Sequence, residues 1–166
     1  MSNRRRQMRS SVDPLQRRLM YDRETGLPRW PLLLDRTEIA LARARRAHRA
    51  VAVIVLDDPR TFSGAVPDLA KIGEKLVSRV RPDDTVARAA PRTFVVVCSD
   101  IPEDGDAAAV TQRLLRSIDV VCSLGITLSQ ADDTPDTLLT RALDLARALD
   151  QAKYSLDEDP LIRGSA

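Results

Sequence analysis

Residues 85–99 read Thr-Val-Ala-Arg-Ala-Ala-Pro-Arg-Thr-Phe-Val-Val-Val-Cys-Ser. Two runs of strand-forming residues, Thr85–Ala89 and Thr93–Ser99, flank the tripeptide Ala90-Pro91-Arg92. Two such runs separated by so short a break predict an antiparallel hairpin. Upstream, Ala50–Leu56 is β-branched and almost wholly apolar, the signature of a central strand buried on both faces. Asp57-Asp58-Pro59 is expected to end it, because proline donates nothing to a strand ladder. Between that strand and the hairpin, Leu69, Ile72, Leu76 and Val80 keep helical spacing, and Pro82 stops the helix. Downstream, Asp104 or Asp106 is placed to cap a helix bearing Ala107, Val110, Leu114 and Leu115. Val120–Leu128 reads as the last strand.

The order is β-α-β-β-α-β, an α+β arrangement of the ferredoxin-like or polymerase-palm type, with an antiparallel sheet and helices on one face. Further helices flank it. A short one opens at Asp13-Pro14, a longer one spans Trp30 to His48, and a third opens at Thr134-Pro135 along Leu138, Ala142, Leu145 and Leu149. Three segments are expected: a basic, partly helical leader over 1–20, one domain over 21–154, and a flexible tail over 155–166.

The chain has 166 residues, enough for one well-buried domain. No apolar run approaches the roughly 20 residues of a membrane-spanning helix. Nor does an apolar core follow the N-terminal arginines as a secretory signal requires. A cytoplasmic protein without membrane contact is expected. Residues 1–20 hold six arginines and one acid, a net of +5, and the remainder holds 20 basic and 23 acidic groups, a net of −3. Such a leader could touch nucleic acid, anionic lipid or an acidic partner, though a disordered, solubilising role is the plainer explanation. Cys98 and Cys122 lack metal-ligand spacing, and His48, the single histidine, has no nucleophile motif beside it. Zinc and catalytic triads are therefore unsupported. The five aromatic residues are too few, and only Phe94 too central, for a base-stacking nucleic-acid platform.

Several short stretches in register with these elements resemble a GGDEF domain, the fold of diguanylate cyclases. Asp22-Arg23-Glu24-Thr25-Gly26-Leu27-Pro28 is similar to the family's D-x-L-T-G-L-P entry. Val51–Leu56 leading into Asp57 resembles the strand that ends in its first metal-binding aspartate. Arg81-Pro82-Asp83-Asp84 with Val86-Ala87-Arg88 resembles the approach to the signature turn. Ser123-Leu124-Gly125-Ile126 and Ala148-Leu149-Asp150-Gln151-Ala152-Lys153 resemble its last strand and last helix.

Against that resemblance, the signature itself is rewritten. Arg-x-Gly-Gly-Asp-Glu-Phe would be expected where Arg88-Ala89-Ala90-Pro91-Arg92-Thr93-Phe94 stands. The two glycines have become Ala90 and Pro91, and the two acids Arg92 and Thr93. Cyclisation resembles other phosphoryl transfers, which need carboxylates converging on hard cations. Only Asp57 remains at a metal position, and a strand-end residue capping a turn is the simpler reading of it. The Phe-Lys and Asn-Asp-x-x-Gly-His substrate elements have no counterpart. The resemblance thus implies a cyclase-shaped protein with no catalytic residues, no metal and no cofactor.

One family constellation survives. Arg-x-x-Asp five residues before the signature forms the core of an inhibitory cyclic di-GMP site, and Arg81 and Asp84 have that spacing. An arginine fork can grip a guanine edge or a phosphate, and a carboxylate can accept from guanine N–H groups. Arg88 and Arg92 could add phosphate contacts. The plain alternative is that Arg81 complements a helix end and Asp84 satisfies backbone donors in a turn. The expected function is an inactive regulatory domain in bacterial second-messenger signalling, binding cyclic di-GMP through Arg81, Asp84 and Arg88. The alternative is a protein-interaction module anchored by Trp30, and a homodimer stays open.

Overall fold

The computed structural model describes residues 14–102 and 107–157. Nine elements follow one another: α1 (Pro14–Met20), α2 (Trp30–Ala47), β1 (Ala50–Arg60), α3 (Leu69–Val77), β2 (Thr85–Ala90), β3 (Thr93–Ile101), α4 (Ala107–Leu115), β4 (Val121–Leu128) and α5 (Pro135–Asp157). Residues 1–13, with the leader's arginine cluster and Asp13, lie outside the described residues, as do Asp104, Asp106 and residues 158–166. α5 runs to Asp157, three residues past Tyr154, where the helix was expected to give way to a tail.

The four strands form one antiparallel sheet in the order β2-β3-β1-β4. This is the order that β-α-β-β-α-β connectivity produces when both helices cross on one face. Strand alternation divides the core in two. Ala52, Ile54 and Leu56 of β1, with Phe94, Val96 and Cys98 of β3, pack on α3 and α4 through Leu69, Ile72, Leu76 and Leu114. Val51, Val53 and Val55 turn the other way with Val95 and Val97. They meet Leu33, Ala40 and Leu41 of α2 and Leu138, Leu139, Ala142 and Ala146 of α5. Helices therefore cover both faces, not one, because α2 and α5 supply the layer that the core connectivity leaves out. That second layer is why β1 is buried without interruption from Ala50 to Leu56.

β1 does not stop at Asp57-Asp58-Pro59. It continues to Arg60, which pairs with Val121, through a break in register between Asp57 and Arg60. Asp58 takes a left-handed φ of 46° there. A bulge is one of the places where a strand tolerates proline, since the residue needs no ladder bond. At the bulge the carboxylates of Asp57 and Asp58 meet Thr93 and Arg92 of the β2–β3 turn.

Helix boundaries follow local chemistry. Thr134 Oγ1 accepts from Thr137 N–H at 3.2 Å, capping α5 in front of Pro135. Asp68 caps α3 by accepting from Lys71 N–H. Gly125 lets α5 lie directly on β4, for a Cβ there would stand 2.0 Å from the Ala142 carbonyl oxygen.

Candidate functional site

The entry segment is a tight turn closed by its own side chains. Asp22 accepts from Thr25 N–H at 2.9 Å and from the Thr25 hydroxyl at 2.8 Å, while Gly26 takes φ 69°. Leu27 drops into the core, and the Pro28 carbonyl accepts from Arg88 N–H, so the segment lies along the outer edge of β2.

Arg88 ties this segment to the signature turn. Its guanidinium donates to Asp22 at 2.8 Å, to Glu24 at 2.6 Å and to the Pro91 carbonyl at 3.2 Å. The side chain is only 9% exposed. Burial opposes its charge, but the bonds to Glu24 and Asp22 prevail and hold its pKa above the usual value. For Asp22, burial likewise raises the pKa, and the bonds from Thr25 and Arg88 outweigh it, leaving the carboxyl below its ordinary range.

The turn itself spans Ala90, Pro91, Arg92 and Thr93, with Phe94 fully buried behind it. Arg92 folds back over the β1 bulge. Its Nη2 donates to the Pro59 carbonyl at 2.8 Å, and its Nε stands against Asp58 Oδ1 as an ion pair without hydrogen-bond alignment. The backbone closes the same contact, Asp58 N–H donating to the Arg92 carbonyl at 3.0 Å. Asp58 Oδ2 takes a second guanidinium, that of Arg60, at 2.7 Å. Asp57 pairs across the ladder with Thr93, whose hydroxyl donates to Asp57 Oδ1 at 2.6 Å.

A divalent cation does not fit this donor set. Hard cations need several oxygens converging on one point. Here Asp58 lies between two guanidiniums, and Asp57 already accepts from Thr93. Each acid faces a donor from the turn or from Arg60.

The Arg81–Asp84 turn lies at the other end of β2. Asp84 spends both carboxylate oxygens on the backbone, accepting from Arg81 N–H and from Ser99 N–H, each at 2.9 Å. This is the turn-closing role that sequence reasoning held as the plain alternative. The Arg81 side chain is exposed. Arg88, expected beside this pair, instead directs its side chain to the entry segment and the signature turn. Its donors are committed there, so the structure does not bring it to Arg81. Two arginines that the sequence did not single out stand beside the Pro82–Asp84 part of the turn. Arg36 and Arg43, two helical turns apart on α2, line a groove of about 270 Å³ with Pro82, Asp83, Asp84 and Ser99. Their seven-residue separation was the available signal, but nothing in the sequence says which side of α2 faces the turn. Trp30 is half-buried against the α2–α5 cluster and is part of the core there, not a protruding anchor.

Buried Cys98 lies under the same turn, and desolvation, with Asp84 nearby, pushes its thiol up to about 12, so it stays protonated.

Comparison with solved structures decides the fold. The GGDEF domain of TpbB (YfiN) from Pseudomonas aeruginosa superposes with a TM-score of 0.68 at 22% identity, covering 80% of this chain and 89% of that one. The chain has the fold of a GGDEF domain. The coiled coil and GGDEF domain of DgcB from Caulobacter crescentus, a structure in complex with c-di-GMP, gives a TM-score of 0.65 at 15% identity. That likeness covers 83% of this chain and 84% of the other. Among curated proteins, the bifunctional diguanylate cyclase/cyclic di-GMP phosphodiesterase MucR of P. aeruginosa is 32% identical over 111 residues. The match takes in 60% of this chain and 16% of MucR, so the chain spans a small fraction of that relative's length. No family model matches the chain. Among the described residues no helix is long and apolar enough to cross a membrane.

Proposed function

We propose that this GGDEF-like domain is non-catalytic and acts as a regulatory module in cyclic di-GMP signalling. The observation that carries the reading is Arg92 seated on Asp58 and on the Pro59 carbonyl, a fixed cation where the resemblance calls for a metal-binding carboxylate. Electrostatics then works against both magnesium and the chemistry magnesium supports. The test is direct. The purified chain, given GTP with magnesium or manganese, yields no cyclic di-GMP, and turnover above a no-protein control would refute the proposal.

The finer part of the reading is recognition of cyclic di-GMP at the Arg81 turn. Arg81 is exposed, and Arg36 and Arg43 of α2 line a groove with Pro82, Asp83 and Asp84 of the same turn. Arginine forks suit the phosphates and guanine edges of such a ligand. Asp84 supports the turn's shape and has little capacity left for a base. The groove is small beside typical ligand pockets, so it accommodates one base or one phosphate and leaves the rest of the dinucleotide on the surface. Calorimetry with cyclic di-GMP should show binding that Arg81→Ala abolishes.

A protein-docking module is the second reading, and Phe62 favours it. This ring is 77% exposed on a turn held by Thr61 N–H to the Ala65 carbonyl at 2.9 Å and Gly64 N–H to the Thr61 carbonyl at 2.8 Å. A presented aromatic on an ordered turn suits a partner's apolar pocket. A flat nucleotide titration would leave this reading standing alone.

A further inference from the structure

Two segments converge on an open cleft of about 740 Å³ beside the entry turn. α1 brings Arg17 and Arg18 to it, and the entry segment brings Tyr21, Asp22 and Arg23. Backbone bonds hold the two segments together. Tyr21 N–H donates to the Arg17 carbonyl at 3.0 Å, Asp22 N–H to the Leu27 carbonyl at 2.8 Å, and Arg29 N–H to the Met20 carbonyl at 2.8 Å. The bridge between Tyr21 and Pro28 ties this wall to the stretch that lies along β2.

Charge in the cleft is one-sided. Among the described residues, no acid or carbonyl takes a side-chain bond from Arg17, Arg18 or Arg23, and all three are exposed. The acids at hand are already engaged. Asp22 accepts from Thr25 N–H, from the Thr25 hydroxyl and from Arg88, and Glu24 accepts from Arg88 at 2.6 Å. Three guanidiniums therefore share the cleft with one carboxylate that Arg88 neutralises. A place in the last turn of α1 accounts for Arg17 and Arg18, whose charge complements the helix dipole. It does not account for Arg23, which enters from the other segment.

We propose that this cleft binds a small anion with adjacent phosphates, such as the di- or triphosphate of a nucleotide, through Arg17, Arg18 and Arg23. A guanidinium presents parallel N–H donors that match two phosphate oxygens, which an ammonium does not. One phosphate cannot occupy three such forks from two segments, whereas a chain of phosphates spans them. Clefts that take small ligands run to roughly 300–1,000 Å³, and this one falls inside that range. No residue lining it is shared with the groove between α2 and the Pro82–Asp84 turn, so the two sites stand or fall separately.

Calorimetry of the full chain at fixed salt, with inorganic triphosphate and separately with GTP, tests it. Arg17→Ala and Arg23→Ala should each weaken triphosphate binding roughly five- to fiftyfold. Both sites are exposed, so circular dichroism and melting should be unchanged. Arg81→Ala in the other groove and Arg46→Ala on α2 remove the same charge elsewhere, and screening should keep their effect within about twofold. Replacing Arg4, Arg5 and Arg6 of the leader by alanine should do no more. Absence of binding to either probe overturns the proposal. An equal loss in the Arg46 or leader variants overturns it too, since the attraction would then belong to the chain's arginine content and not to the cleft. If Arg17 and Arg23 govern binding to phosphatidylglycerol vesicles while triphosphate affinity stays unchanged, the cleft belongs to a lipid surface and the proposal fails.

Discussion

The guanidinium of Arg92 and the carboxylate of Asp58 face each other across the base of the β2–β3 turn, with Arg60 on the far side of the same carboxylate. Two cations on one acid leave the bulge electrostatically closed to a third. Arg92→Asp replaces one cation with a second acid, so the variant should gain weak affinity for Mn²⁺, a change followed by the electron spin resonance of the free ion. The wild type should leave that signal untouched at millimolar metal. If wild type and variant bind equally, charge at this position does not govern the site.

Arg92→Ala tests the structural side of the same contact. It strips Asp58 of one partner and leaves the Pro59 carbonyl without its donor, while Arg60 remains. Loss of a partly buried ion pair and one hydrogen bond should cost about 1–2 kcal/mol in denaturant unfolding. No change would mean that solvent replaces the guanidinium without loss.

Acid stability follows from Asp133. Its carboxyl takes hydrogen bonds from Arg141, Gln130 N–H and Thr137, and although burial pushes the other way, its pKa is held below the ordinary value. Asp22 is depressed as well. A depressed carboxylate stabilises the fold fully above its unfolded pKa, near 3.8, and that contribution is lost as pH falls through the folded pKa. Stability should therefore hold at pH 5 and above and decline below about pH 4. Asp133→Asn should be less stable near neutrality and show a shallower acid limb in melts taken across pH 2–6. An unchanged acid limb would remove Asp133 from the account.

Much of this was readable in the chain. The hairpin around Ala90-Pro91-Arg92, the burial of Val51–Leu56 and the Thr134 cap follow from local pattern, and local pattern is what a sequence displays. The bulge at Asp58-Pro59 was not readable, because proline signals a strand's end unless a distant partner, here Val121, carries the ladder onward. Arg88 looked like a ligand and proved a tie, since its acids lie more than sixty residues away in the entry turn. Arg36 and Arg43 escaped notice because the facing of α2 is fixed by Leu33, Ala40 and Leu41 meeting a sheet assembled elsewhere in the chain.

Gly125 offers a test of how closely α5 packs on β4. Alanine there would set its Cβ 2.0 Å from the Ala142 carbonyl oxygen and 2.8 Å from Ala146 N. Both are backbone atoms, so relief requires moving α5 off the sheet. Gly125→Ala should cost about 3 kcal/mol or more, read as a large fall in melting temperature or as insoluble protein. A melting point near wild type would show that α5 shifts freely over β4.

The groove between α2 and the Pro82–Asp84 part of the turn separates recognition from scaffolding. Removing Asp84 would orphan Arg81 N–H and Ser99 N–H, so lost binding in Asp84→Ala would follow from a disturbed turn whether or not the acid touches ligand. Arg36 and Arg43 close no turn, and alanine at either should leave melting within about 0.5 kcal/mol of wild type. If a cyclic dinucleotide places a phosphate or guanine edge between them and Arg81, each substitution should weaken binding roughly five- to fiftyfold, as losing a charge-assisted bond does. The double variant should also show a reduced dependence on salt. Affinities unchanged in both single variants, with Arg81→Ala still inactive, would confine recognition to the turn itself and exclude α2 from the site.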